Sequence, residues 1–443
     1  MLRHLGPAGA SLGVGAALTV LLLGSLPAFA HDGDQEGEGK DAVGEVDPDF
    51  PTSPILGAAG RAGAPCVDGQ ADYFPCDNVN LSSFLPMSAI GGGRGSDVWG
   101  WTDPETERRY VIAGRDNGTA FVDVTNERRP VYLGNLPTSG TTTVIWRDVK
   151  VYDDHAFIVS EARDHGMQVF DLRQLRSVDR IAAPTTVTET AHYAGFGRAH
   201  NVGLNEESGF AYAVGAREDS QACAGGLHMV DVRNPGTPTF AGCVGQDGYV
   251  HDTQCVVYDG PDVRFQGREI CFNSNEDTLT IVDVTDKANP VQLSRTGYDG
   301  ASYSHQGWLT ADGRHFLMGD EADEIRLGVG TTTLIWDVAD LTAPEQFSRF
   351  VNDTRAIDHN VYVDGSRAFQ SNYRSGLRIL STADVAEGTL REIGWFDTWH
   401  DDDATAFSHG TWSNYPYFEN GLVIVHGYDG LFMLRPTGAA ARR

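Results

Sequence analysis

The stretch TAFVDVTNERRP (119–130) returns along the chain as GMQVFDLRQL (166–175), GLHMVDVRNPGTP (226–238), TLTIVDVTDKANP (278–290) and TTLIWDVADLTAP (332–344). Two degenerate echoes follow, GLRILSTADV (376–385) and GLFMLRP (430–436). Each copy is a short run of aliphatic, β-branched and aromatic residues, and the complete copies run into an Asp-led turn that reads as an Asx turn. The residues at the Asp position are Asp123, Asp171, Asp231, Asp283, Asp337, Ser381 and Arg435, spaced 44 to 60 residues apart with a mean of 52. Two further strand-like runs precede each copy, as DVKVYD (148–153) and HAFIVSE (155–161) precede the second. Another run follows it, as PVYLGNLPTSG (130–140) follows the first. Seven copies of a four-strand unit at this period predict an all-β, seven-bladed β-propeller.

The seventh copy stops at Pro436 without a fourth strand. NVNLSSFLPMSAIGGG (78–93) resembles VYLGNLPTSG (131–140): a strand, then Leu-Pro, then a Gly-rich run. The ring is therefore expected to close by an N-terminal strand that completes the last blade and removes a sheet edge. Two separate β domains are the alternative, and no linker-like stretch within 78–436 supports them.

The 443 residues include 52 Gly, in keeping with many turns, and carry 33 Lys+Arg against 61 Asp+Glu, a formal charge of −28. Such acidity argues against nucleic-acid binding, which needs a basic face. Residues 1–30 read as a Sec-type signal peptide: Arg3, an apolar stretch to Leu26, then Ala28-Phe29-Ala30 before the cut. An uncleaved anchor is the competing reading. No twin Arg, no lipid-accepting Cys and no other apolar run of membrane-spanning length is present, so a secreted protein with no membrane span in the mature chain is expected. Residues 31–65 begin with eight acids and one Lys in 31–50 and read as an acidic flexible leader. The propeller is assigned to 66–436 and a tail to 437–443. Six cysteines in an exported chain suggest disulfides, and their spacing favours Cys66–Cys76, Cys223–Cys243 and Cys255–Cys271.

The same alignment gives the first residue of each inner strand: Asp97, Asp148, His200, His251, His305, His359 and His409. Five of the 14 histidines share this one phase, and inner strands begin near the propeller axis. A subset of three or four on adjacent blades, with His200, His251, His305 and His359 the contiguous run, has the chemistry to hold zinc, copper, iron or manganese. Asp252 and Asp358 are further ligand or supporting candidates. The turns between second and third strands should add a polar rim of Arg115, Glu161, Glu276, Asp320, Glu321, Asn372 and His426. A structural reading competes: a His or Asp entering each inner strand would bond to backbone and clasp neighbouring blades. No nucleophile elbow, HExxH, P-loop or dinucleotide fingerprint is found.

The phrases FVDVTN, IVDVTDKANP and LIWDVADLTAP resemble the LVIVD repeat. The wider pattern, including YFPCDNVNLSSFLP (73–86), DVWGWTDPET (97–106), SHQGWLT (304–310) and SNYRSGLRIL (371–380), resembles the choice-of-anchor B family. The resemblance implies a secreted or surface-displayed propeller and supplies no reaction, ligand or catalytic residue. Three functions are therefore expected as alternatives. The first is binding of an extracellular ligand or protein at the His-rich channel mouth. The second is a metal-dependent oxidase or hydrolase, with a histidine, Glu161, Glu276 or Glu321 as base. The third is a structural matrix component.

Overall fold

The computed structural model describes residues 63–216 and 223–441. The expected signal peptide at 1–30 and nearly all of the expected leader lie outside the described residues. Seven antiparallel sheets of at least four strands form the blades of a propeller. Their inner strands are Gly95–Thr102, Arg147–Tyr152, Asn201–Asn205, Asp252–Val257, Ser304–Leu309, Val361–Asp364 and Thr411–Tyr415.

The repeated phrase forms the third strand of each blade, and its position explains its composition. Gly118–Asp123 and Thr278–Asp283 are buried at every residue, because each faces a neighbouring blade on both sides. A strand covered on both faces is selected for unbroken apolar character rather than alternation. Outer strands show the contrast: in Glu345–Val351 exposed and half-buried residues alternate. The Asp that ends the phrase accepts the amide N–H two residues on, at Asp123–Thr125 (2.9 Å), Asp171–Arg173 (3.0 Å), Asp231–Arg233 (3.1 Å), Asp283–Thr285 (3.0 Å) and Asp337–Ala339 (2.9 Å). Ser381 does the same work for Ala383 at 3.3 Å in the degenerate sixth copy. Six blades also share a bulge between third and fourth strands, just before the residue at this position, which sharpens the local twist.

Val79–Pro86 pairs with Gly430–Pro436 and supplies the outer strand of the last blade. The strand ends at Leu85-Pro86, as the 78–93 match implied, and Met87–Ile90 then turns as a 3-10 helix before the Gly-rich run. Ahead of it, Gln70–Ala71 and Phe74–Asp77 form a hairpin that extends the sixth blade, with Cys76 opposite Phe396. The hairpin's Phe74 and the closing strand's Phe84 meet Phe432 at ring-centroid distances of 5.4 and 4.3 Å. The chain ends of the ring are thus sealed by an aromatic cluster as well as by strand pairing.

The second blade departs from the repeat. After Asp171 the chain forms a 3-10 turn, and Thr185–Thr186 then pairs in parallel with the outer strand of the first blade. Only afterwards does Ala191–Tyr193 complete the second blade. This excursion accounts for the longest spacing in the repeat. The three disulfides are Cys66–Cys76, Cys223–Cys243 and Cys255–Cys271, with Cα separations of 6.0, 5.4 and 4.0 Å. Among the described residues, no helix is long and apolar enough to cross a membrane.

Candidate metal centre

Inner strands lie edge-on to the channel, so their polar side chains reach both the axis and the next blade. The Asp/His position uses the second possibility at Asp97, Asp148, His251 and His359. Asp97 accepts from Val149 N–H of the next blade (3.3 Å), and Asp148 accepts from Val202 N–H of the blade after that (2.7 Å). His251 Nδ1–H donates to the His305 carbonyl (2.9 Å), and His359 Nδ1–H donates to the Trp412 carbonyl (2.5 Å). Neighbouring polar positions add Asn201 to the His251 carbonyl (3.0 Å) and Gln306 to the Val361 carbonyl (3.0 Å). Blade clasping is therefore a real duty of these residues.

A clasp through Nδ1 fixes the tautomer and leaves Nε2 as the basic nitrogen of a neutral ring, the arrangement found in metal-ligating histidines. His200, His251, His305 and His359 form one unbroken row, with successive ring centroids 4.3, 4.1 and 4.3 Å apart. Glu321, at the end of the fifth blade's second strand, enters this row. Its Oε2 lies 3.5 Å from His305 Nε2 and its Oε1 lies 3.5 Å from His359 Nε2. Tyr373 O–H donates to Oε1 at 2.8 Å and orients the carboxyl. Ligand atoms of His251, His305 and Glu321 all fall within 4.8 Å of one another, and all three residues are buried. An ion held at about 2.0–2.2 Å from each ligand separates tetrahedral neighbours by roughly 3.3–3.6 Å, which the 3.5 Å between Glu321 and His305 matches. Burial pushes the Glu321 carboxyl up to about 8, reinforced by Asp320 and opposed by the Tyr373 hydrogen bond. Burial likewise pushes the His359 imidazole down to about 3.

The two aspartates of the tier sit in a different environment. Lys150 Nζ is 2.6 Å from Asp148 and 3.5 Å from Asp97. Burial and Asp148 drive the Asp97 carboxyl far up, against the pull of Lys150, while Lys150 and hydrogen bonds overcome burial to keep Asp148 low. The cluster therefore holds one proton, one carboxylate and one ammonium, and is neutral by itself.

His409 stands apart from the other four. Its backbone is left-handed (φ 67°), its ring stacks on Trp399 at 3.9 Å, and Nδ1 bonds to Asp429 at 3.0 Å. Trp412 takes the place beside His359, at 4.8 Å. The expected rim is also dispersed. Glu161 pairs with His200 (2.5 Å), and Glu276 is bridged through its backbone to Ser304. Asp320 accepts from the Ser302 and Tyr303 amides and the Tyr298 hydroxyl. Arg115 binds the Gly92 carbonyl and the Asn135 side chain, and Asn372 is wholly buried. His426 lies between the Gly430 and Gly114 carbonyls.

Sequence reasoning missed a second tier. Trp99, Trp308, Tyr362, Tyr415 and Tyr417 surround a cavity of about 270 Å³ together with Lys150, Glu206, Asp252 and Gln254. These aromatics lie a few positions beyond the Asp/His phase in DVWGW, HQGW, HNVY and HGTWSNYPY, which is a readable signal once the inner strands are aligned. Asp252, counted beside His251 as a ligand candidate, faces this cavity instead; burial and Asp148 raise it to about 7. Neither a family model nor a curated protein matches the chain.

Proposed function

We propose that the protein is a secreted propeller of the LVIVD-repeat, choice-of-anchor B type that engages an extracellular ligand through a transition-metal ion. The organisation proposed is a signal peptide at 1–30, an acidic leader at 31–65, the propeller at 66–436 and a tail at 437–443. His251, His305 and Glu321 would be the ligands, with His359 beside them and zinc, iron, manganese or copper as the ion. One observation carries the reading: ligand atoms of the buried His251, His305 and Glu321 all fall within 4.8 Å of one another. A two-His, one-carboxylate set is common to zinc and non-haem iron centres that keep positions open for an exogenous ligand. A carboxyl held near neutrality is inexpensive to bury in the absence of metal, and it becomes a full donor when an ion takes the place of the Glu321 proton.

The test is elemental analysis of protein purified without a His tag. About one equivalent of a transition metal is expected in the wild type, with loss in His251→Ala/His305→Ala. Metal content far below one equivalent after reconstitution and dialysis, or content unaffected by the double substitution, overturns the proposal.

A second reading rests on the aromatic tier. Five rings around a cavity of about 270 Å³ form a site for a small organic ligand with an apolar face and polar edges. Trp99→Ala would remove ligand-dependent thermal stabilisation without changing metal content.

A further inference from the structure

Beside the His centre, the described residues hold a second group of ligand-type side chains with entirely different chemistry. Asp323 and Glu324 open the short helix Asp323–Leu327, and Asp358 precedes His359 in the loop entering the sixth blade. One oxygen from each of the three lies within 4.8 Å of the others. Their exposures are 3, 2 and 2%. The crowding is enforced by the fold: Asp358 Oδ2 occupies the space where a Cβ on Gly319 would sit, 1.8 Å away, so the second strand of the fifth blade makes room for this carboxylate.

A cluster of acids alone would prove nothing, since such groups can satisfy one another's hydrogen-bonding needs, as Asp323 and Glu324 do in part. Beyond that mutual contact, both oxygens of Glu324, Oδ1 of Asp323 and Oδ1 of Asp358 are buried with no donor in hydrogen-bonding geometry. The nearby acid Asp320 is, by contrast, fully used, accepting from Ser302 N–H, Tyr303 N–H and the Tyr298 hydroxyl at 2.7, 2.6 and 2.7 Å. The structure thus satisfies one carboxylate of this corner with donors and leaves four buried oxygens on three neighbouring ones without a donor. Burying an unsatisfied carboxylate oxygen costs several kcal/mol unless a cation replaces the lost water.

We infer that Asp323, Glu324 and Asp358 bind a hard divalent cation, calcium in the first instance, that ties the fifth blade to the loop entering the sixth. All-oxygen donors select calcium, magnesium or manganese over zinc or copper. Carboxylates able to bind through one or two oxygens suit the higher and more flexible coordination number of calcium. The site is distinct from the His/Glu321 centre in donor set, and it braces that centre: Asp358 adjoins His359, and Asp323 lies two residues past Glu321. Loading it would hold both ligand-bearing segments in place.

The experiment uses the full chain stripped with EDTA and dialysed. Calcium is titrated calorimetrically, and thermal unfolding is followed with calcium, magnesium or manganese. The expected result is one site per chain and a rise of several degrees in Tm with calcium. Glu324→Gln and Asp358→Asn should weaken calcium binding at least tenfold, while the metal-free Glu324→Gln protein should be at least as stable as the metal-free wild type. That last comparison shows the variant to be folded. His251→Ala/His305→Ala should keep the calcium response, so this proposal stands or falls independently of the transition-metal centre. The absence of a saturable site for all three cations in the wild type overturns the inference, as does a calcium response unchanged in both carboxylate variants.

Discussion

The two sides of the inner tier start from the same place in the repeat and solve burial in opposite ways. On the first two blades, Asp97 and Asp148 enclose Lys150, with Nζ at 2.6 Å from one and 3.5 Å from the other. On blades three to six, the same position carries a row of four imidazoles, two of them 3.5 Å from Glu321, a carboxyl that burial raises to about 8. The first side contains its own cation and closes the account within the chain. The second contains donors and a carboxyl that gain most from a cation delivered from outside. A repeat position can thus be structural on one side of a ring and ligand-binding on the other, because a single Lys decides which charges remain unanswered.

Removing that Lys should break the contrast most strongly. Lys150→Met keeps the apolar stem but strands the Asp148 carboxylate, which should destabilise the fold by about 3–5 kcal/mol in urea titrations at neutral pH. Asp148→Asn should come next, at about 2–4 kcal/mol, because it removes the carboxylate 2.6 Å from a buried ammonium and leaves only Asp97, 3.5 Å away, to answer it. A loss below about 1 kcal/mol for both would show that the cluster is not a buried charge system.

Acid should weaken both sides, and the first offers a buried histidine clear of the proposed ligands on which to measure it. His165 Nδ1–H donates to the Gly166 carbonyl (3.0 Å), and Nε2 accepts from Arg147 (2.9 Å), so burial and the Arg147 charge hold the ring neutral down to about 3. The unfolded chain takes up this proton below about pH 6.5, whereas the folded chain does so only near 3. The contribution is therefore complete above 6.5 and declines as the pH falls, by about 2–3 kcal/mol at pH 4.5. His165→Gln, which can still donate and accept, should show a shallower loss between pH 6.5 and 4.5. An identical slope would remove His165 as the source.

The smallest effect is expected at Glu321. Its carboxyl is neutral at pH 7 without metal, so Glu321→Gln should change metal-free stability by less than about 1 kcal/mol. Its transition-metal affinity should nevertheless fall more than about tenfold. A stability loss as large as that of Lys150→Met would erase the distinction between the two sides.

The fold was readable because the third strand is buried on both faces, which forces a continuous apolar phrase, and because the turn after it needs an Asp or Ser acceptor. Closure by Val79–Pro86 was readable for the same reason, as it repeats the Leu-Pro exit of an outer strand. The hairpin at Gln70–Asp77 was not, since strands of two and four residues leave no periodicity. Nor was the second blade's outer strand, because Thr185–Thr186 first joins another blade. In the site, the four-His row followed from phase alone. His409 shared the phase but not the geometry, because the left-handed His409 and Gly410 turn the chain before the strand begins. Lys150 occurs in one blade only, and Glu321, Asp323 and Glu324 sit in a turn unlike its counterparts, so no repeat pointed to their partnership with the histidines.

The pairing of Val79–Pro86 with Gly430–Pro436 also imposes an order in time. The first strand of the ring is made early and has no partner until the last blade has been synthesised. Until then it is an unpaired edge, exposed to pairing with other chains. A chain interrupted anywhere before Gly430 can form individual blades but has nothing with which to fasten them into a circle. Closure thus works as a proofreading step: the clasp engages only on a chain whose every blade is present, and incomplete products are left open to proteolysis.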